Sequence, residues 1–302
     1  MIGHRLLANT LLCMGDFAEG LSHLDRALSL YDPAVHRPLA TRFGHDVGAA
    51  TLTFRPLALW LLGYPKTALM ETDHAIAAAR ETDHMPTLLF ALALTALTHI
   101  CSRDHAAAAM HLEECIPLAQ EKKALYIKMF AAGNRGCIWA QIGKASDAIQ
   151  AIKAEIAALR EIGATVWFSS WFAHLALAYA ELGKFEDAWR CIGEAMTLVE
   201  TNKERWYQAE INRVAGEIAL KSPQPDAAKA EGYFERALSV ARAQQAKSWE
   251  LRAAMSLARL WREQGKVQQA RELLAPVYGW FKEGFDTRDL KEANALLEEL
   301  AP

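Results

Sequence analysis

Five side chains able to ligate a metal crowd one stretch of the chain: His99, Cys101, His105, His111 and Cys115. His111 and Cys115 stand four apart and share a helix face, and a mixed His/Cys set suits zinc. The same two regions also satisfy a packing frame. Cys115 falls where a second helix needs a small residue, and His99 falls where a first helix packs. Core packing and turn filling account for both, so no metal and no cofactor are assigned. Three Asp-His pairs, Asp73-His74, Asp83-His84 and Asp104-His105, have the residue types of an oriented base. Neighbours on a helix point about 100° apart, and no nucleophile accompanies them, so no catalytic residue is assigned.

Binding chemistry has better candidates. Arg252, Arg259 and Arg262, with Met255, fall at inner-face offsets of one helix. A basic patch of this kind fits an acidic peptide or a carboxylate terminus, although Glu250 and Glu263 are at hand to balance it. Phe130, Ser170, Ala173 and Leu177 take the corresponding offsets in two earlier helices. These eight residues are the candidate contacts for a peptide or ligand. Trp167, Trp171, Trp206 and Trp249 are candidate aromatic anchors if exposed. Trp167, Trp206 and Trp249 recur roughly every 40 residues, near the starts of successive first helices. That recurrence favours a seam between stacked helices over a binding stripe.

The elements that must position these groups are helical hairpins. The stretch Leu182 to Ala195 is the template: Gly183 ends a first helix, Phe185 plugs the space between two helices, and Ala188, Ile192 and Ala195 line the second helix. The same frame recurs at Gly15/Phe17/Leu24/Ala27, Gly63/Ala68/Ala75, Gly143/Ala148/Glu155 and Gly265/Val267/Ala270/Val277. Gly143 and Gly183 are 40 residues apart, and Arg103, which takes the glycine position in a weaker copy, is 40 from both Gly63 and Gly143. A period near 40 means helix pairs stacked in a row.

Composition agrees. The 302 residues are 52% hydrophobic, with 33 basic and 36 acidic side chains and a formal charge of -3. Nothing in that balance asks for nucleic acid or an anionic membrane. Five unevenly spaced cysteines, Cys13, Cys101, Cys115, Cys137 and Cys191, fit buried thiols in a reducing compartment better than a disulfide framework. No secretory signal is visible, and the apolar run Thr87 to Ile100 falls short of a membrane span. The expected location is the cytoplasm.

The expected architecture is all-α: one right-handed α-solenoid of about seven hairpins, at about 3–31, 47–80, 86–120, 125–162, 166–200, 206–243 and 249–283. An irregular joint near 32–46 follows the first unit, and a capping helix at 289–300 closes the C-terminal end. Pro56 should kink or split the first helix of unit two. The chain begins almost inside a helix, as though cut from a longer array or prepared to pair with something.

Phe172, Leu175, Ala176, Tyr179, Gly183, Phe185, Ala188, Ile192 and Ala195 together match the tetratricopeptide (TPR) signature, and the resemblance extends over nearly the whole chain. Departures are Pro56, Arg103 in place of glycine, Glu155 in place of alanine and a long sixth turn from Lys221 to Asp226. The runs Glu210 to Pro223, Tyr233 to Leu238, Ala241 to Trp261 and Leu274 to Ala293 resemble the C-terminal TPR region of bacterial signalling proteins. In those proteins a class III adenylate/guanylate cyclase domain, or a DNA-binding domain, precedes a P-loop ATPase. The sequence carries no P-loop and no candidate cyclase metal site, so such activity would lie in domains absent from this chain.

The resemblance implies a non-catalytic protein-interaction or regulatory module of a cyclase-related signalling system. Its partner would be a protein or peptide, including an attached or associated cyclase or ATPase, with no direct nucleic-acid contact and no membrane. An alternative is the effector-sensing arm of an ATP-dependent transcription regulator. A metal-binding or enzymatic helical protein is the weakest alternative. Nothing in the sequence sets the oligomeric state.

Overall fold

The computed structural model describes residues 1–301, which form helices, turns and bends with no strand. Seven antiparallel pairs follow one another: α1 (Ile2–Met14) with α2 (Phe17–Ser29), α5 (Val47–Leu61) with α6 (Pro65–Glu81), α7 (Met85–Ser102) with α8 (His105–Glu121), and α9 (Leu125–Gln141) with α10 (Ala145–Glu161). Then come α11 (Phe168–Glu181) with α12 (Phe185–Thr201), α13 (Gln208–Lys221) with α14 (Ala227–Ala243), and α15 (Lys247–Glu263) with α16 (Val267–Gly279). The joint after α2 holds two one-turn helices, α3 (Pro33–His36) and α4 (Ala40–Phe43), around a 3-10 turn at Arg37–Leu39. A final helix, α17 (Arg288–Glu299), packs on α15 and α16.

Six of the seven pairs are turned by one residue in the left-handed region; the longer α13–α14 turn is not. Within these hairpins it is glycine at Gly15, Gly63, Gly143, Gly183 and Gly265, and Arg103 takes the same role at φ 59°. An L-residue there costs about 1–2 kcal/mol, and Arg103 is held by ion pairs to Asp289 and Glu292. A second set of left-handed residues turns the chain between hairpins: Asp83, Lys123, Gly163 and Lys203. The two sets interleave, so a left-handed residue recurs every 20 positions from Gly63 to Lys203. The second half of this rhythm escaped the sequence reading because three of its four residues are not glycine.

Small residues set the spacing of the stack. Ala68, Ala75, Ala108, Cys115, Ala148, Ala188 and Ala195 are fully buried, which lets helix backbones approach. Gly133 makes room for the Trp171 ring, into which a Cβ at that position would project. The Trp171 indole N–H then donates to Asn134 Oδ1 at 2.9 Å.

Two expectations differ from the structure. Pro56 does not split its helix: α5 runs unbroken through it, and Pro56 itself is buried. Packing on both sides overrides the missing donor, since α5 is buried almost all round. The apolar run at 87–100 extends to the 18-residue α7, which by length and composition could cross a membrane; 78% of it is buried inside the stack. That burial is what a core helix requires.

The row of hairpins bends round until its ends meet. Trp60 in α5 packs edge-on against Trp249 in α15 at 4.7 Å, and the Ser248 hydroxyl donates to the Trp60 carbonyl. Thr67 at the start of α6 donates its backbone N–H and its hydroxyl to Glu283. The Cys13 carbonyl at the end of α1 accepts from the backbone N–H groups of Arg205 and Trp206. Arg252 reaches the Cys101 carbonyl at the end of α7. The first three hairpins are thus joined to the last two by direct contacts.

Candidate functional site

Closure of the ring leaves a cavity of about 380 Å³ on the inner face of the first helices. Its walls come from α9, α11, α13 and α15, with Arg103 and His105 entering from the α7–α8 turn and Arg288 and Glu292 from α17. The polar groups on these walls are ordered into three clusters.

On one wall runs a hydrogen-bonded chain. His105 Nε2 meets Gln141 Oε1 at 2.7 Å, Gln141 Nε2 meets His174 Nε2 at 2.8 Å, and His174 Nδ1 meets the Ser170 carbonyl at 2.8 Å. With Gln141 donating to Nε2, His174 is neutral with its proton on Nδ1, donated to the carbonyl. Burial pushes its pKa down to about 4, so this wall carries no charge from His174 at neutral pH.

The floor is a buried charge cluster. Arg213 forks onto Glu210 with two 2.8 Å hydrogen bonds and reaches Glu217 at 3.1 Å. Arg252 lies 3.7 Å from Glu210 and donates to Asp289 at 2.8 Å. Its guanidinium is 5.1 Å from the Trp60 ring and 5.1 Å from the Trp249 ring, an arrangement in which both rings stabilise the cation. Burial opposes ionisation of Glu210, but Arg213 and Arg252 prevail and hold its pKa at about 2. The floor therefore stays charged.

The mouth is cationic. Arg103, Arg259 and Arg288 all meet one carboxylate, Glu292, at 2.9, 3.6 and 3.0 Å. Lys221 and Glu181 form an exposed pair at the rim, 3.7 Å apart.

The structure separates the residues singled out from the sequence. Leu177, Arg252, Met255 and Arg259 line the cavity. Phe130, Ser170 and Ala173 are buried inside the stack and do not. Arg262 faces away from the cavity and pairs with Glu299. The single basic patch expected of Arg252, Arg259 and Arg262 is therefore divided among floor, mouth and outer surface, because α15 is covered by α17 along the side where Arg252 lies. Trp167, Trp171, Trp206 and Trp249 are all buried. Trp167 packs on Trp206 at 5.0 Å, and Tyr207 bridges Trp206 and Trp249, so these rings fill seams in the closed ring.

The candidate zinc ligands do not converge either. His99 and His111 lie 5.0 Å apart ring to ring, His105 is in the Gln141 chain, and Cys115 points at the Leu89 carbonyl. Among the described residues no group of three or more His, Cys, Asp or Glu side chains is placed to hold a metal. Sequence reasoning missed Gln141, His174, Glu210, Arg213, Arg288 and Glu292. None of them has a signature of its own, because each becomes a wall residue only when the ring closes.

No protein-family model matches the chain, and no curated protein matches it. Solved structures match its fold. The apo form of RapI aligns over 99% of this chain and 98% of its own, with a TM-score of 0.57 and 11% identity. The Rap conjugation gene regulator of plasmid pLS20, solved in complex with the Phr* peptide, aligns over 98% of this chain and 73% of its own, with a TM-score of 0.64 and 10% identity. At these identities the likeness is one of fold, an all-α stack of helical hairpins.

Proposed function

We propose that this chain is a non-catalytic regulatory module that takes a short peptide into its central cavity and, on binding, changes the surface offered to a protein partner. The observation that carries the reading is the cavity itself. At about 380 Å³ it falls in the range of ligand sites, and its wall is assembled from five helices and a turn. An occupant would therefore bear on the packing of many elements together. One relative in fold was solved with a peptide bound, which supports a peptide over other ligands. This reading is the effector-sensing one, and it needs no ATPase in the same chain.

The output partner is a finer proposal. The resemblance of residues 210–293 to the TPR regions of cyclase–ATPase proteins supports an attached or associated cyclase or ATPase as the enzyme to assay with the purified chain.

The test of the binding reading is affinity selection. A soluble library of hexapeptides is passed over the folded chain, and retained members are identified by mass. Peptides retained by the wild type and lost from Leu177→Trp, which fills the cavity, are the expected result. Retention of no peptide, or retention unaffected by Leu177→Trp, overturns the reading.

A further inference from the structure

The mouth of the cavity carries more cations than carboxylates. Arg103 comes from the α7–α8 turn, Arg259 from α15 and Arg288 from α17, yet all three converge on the two oxygens of Glu292. Oε2 meets Arg103 at 2.9 Å and Arg259 at 3.6 Å, and Oε1 meets Arg288 at 3.0 Å. Arg103 has a second carboxylate in Asp289, which Arg252 also uses. Among the described residues, Arg259 and Arg288 meet no carboxylate but Glu292. Glu292 thus meets three guanidiniums, and the two with no other carboxylate, Arg259 and Arg288, are well exposed to solvent. Guanidinium forks match carboxylates in shape as well as in charge. Glu292 is itself partly exposed, so it can be exchanged for an acid group arriving from the cavity.

Resting on the reading that the cavity is a ligand site, we propose that the Arg103/Arg259/Arg288 cluster is the seat for a carboxylate of the ligand, and that Glu292 fills this seat in the unliganded chain. The incoming acid displaces Glu292. Because Glu292 and Asp289 lie one turn apart on α17, the displacement takes a main polar tether from the first turns of that helix. The apolar hold through Leu290, Ala293, Leu296 and Leu300 keeps α17 docked while its N-terminal turns loosen. Ligand charge is thereby converted into mobility of the C-terminal helix.

The test uses the full chain and two probes of equal length, acetyl-tri-aspartate and acetyl-tri-asparagine, both as C-terminal amides so that only the first carries carboxylates, followed by calorimetry and amide hydrogen exchange. Acetyl-tri-aspartate is expected to bind the wild type at least about tenfold more tightly than acetyl-tri-asparagine. Glu292→Gln, which removes the internal competitor, should tighten acetyl-tri-aspartate binding about tenfold, and Arg259→Gln should weaken it about tenfold, the scale of one charge-assisted hydrogen bond. In the wild type, acetyl-tri-aspartate should speed exchange in residues 288–293. That measurement needs no variant to fold.

Equal affinity of the two probes overturns the proposal. So does unchanged or weaker acetyl-tri-aspartate binding in Glu292→Gln, or unchanged exchange in residues 288–293. If the hexapeptide selection yields cavity binders while acetyl-tri-aspartate binds neither protein, the acid seat falls and the peptide reading stands. If neither yields binding, both fall.

Discussion

Two kinds of seam hold this chain together, and they are built from different chemistry. Between consecutive hairpins the contact is apolar and depends on shape: Trp171 fills the gap above Gly133, and fully buried alanines let backbones approach. The partners there lie about one repeat apart in the sequence, as Gly133 and Trp171 do. Where the ends of the row meet, aromatic packing such as Trp60 on Trp249 is joined by a set of polar bonds, and the partners are far apart. Arg252 bonds the Cys101 carbonyl 151 positions away, Ser248 bonds the Trp60 carbonyl 188 away, and Thr67 bonds Glu283 216 away. The first kind resembles a domain core. The second resembles an interface between separable bodies, which is more polar and depends on a few central contacts. The stack should therefore persist as a unit, while the closure is the place where the molecule can open.

The largest effect should come from the centre of the closure. Arg252→Ala leaves the Glu210 and Asp289 carboxylates buried with fewer cations, and breaking a buried ionic cluster costs about 3–5 kcal/mol. Urea denaturation should show that loss. Small-angle scattering of the folded variant should show a larger radius of gyration with helix content unchanged. A variant as compact and as stable as the wild type would place the strength of the closure in the Trp60–Trp249 contact instead.

Glu204 sits where both seams meet, and it supplies a readout in pH. Its Oε1 accepts from the Ser169 hydroxyl at 2.6 Å and from the Trp206 indole at 3.2 Å, next to the Trp206 N–H that bonds Cys13. Burial raises its pKa from 4.5 to about 7, against the pull of those donors. The folded state therefore holds a proton between pH 4.5 and 7 that the unfolded state has released, and raising the pH through this window favours unfolding. Its contribution is fully present below pH 4.5 and is lost as the pH passes 7, about 3 kcal/mol in all. Histidines oppose it: burial lowers His45, His99 and His174 to about 4, so acidification from 6.5 towards 4 destabilises through them. The difference between wild type and Glu204→Gln isolates the glutamate. The variant, which keeps an acceptor oxygen, should gain stability relative to the wild type as the pH rises from 4.5 to 7; parallel curves would show that Glu204 is ionised throughout.

The same contrast explains what could be read in the sequence. The hairpins were legible because their fit is local: Gly143 and Gly183 lie one repeat apart, and Phe172, Leu175, Ala176 and Tyr179 share a face. The closure was not, because it depends on many small rotations between repeats adding up until Trp60 meets Trp249. That is why Arg252 looked like one member of an inner-face basic patch and is instead enclosed by two indoles, and why Glu292 gave no signal. The stacking seam offers a direct test of its own kind. Gly133→Ala sets a methyl group against the Trp171 ring in a seam with no slack, and overpacking of this sort costs about 1–3 kcal/mol. The variant should lose that stability with no change in radius of gyration, the opposite pattern to Arg252→Ala. Expansion on Gly133→Ala would mean that stacking and closure are one cooperative unit.

The smallest effect sharpens the comparison most, because it sets two carboxylates of similar exposure against each other. Glu283 accepts two hydrogen bonds from Thr67, at 2.8 and 2.7 Å, at the first turn of α6. There the unpaired N–H groups and the helix dipole favour negative charge. Glu114 instead meets Arg80 across the stacking seam between α6 and α8, at 2.7 Å on the surface. Glu283→Gln keeps an acceptor for Thr67 but removes the charge from the helix terminus, a loss of about 0.5–1 kcal/mol. Glu114→Gln removes an exposed ion pair, whose worth is about 0–1 kcal/mol. If the closure is the separable seam, Glu283→Gln should also speed hydrogen exchange in the first turn of α6 and in residues 281–287, while Glu114→Gln leaves exchange in its own seam unchanged. Equal and purely local effects of the two substitutions would show that the two seams open with the same ease.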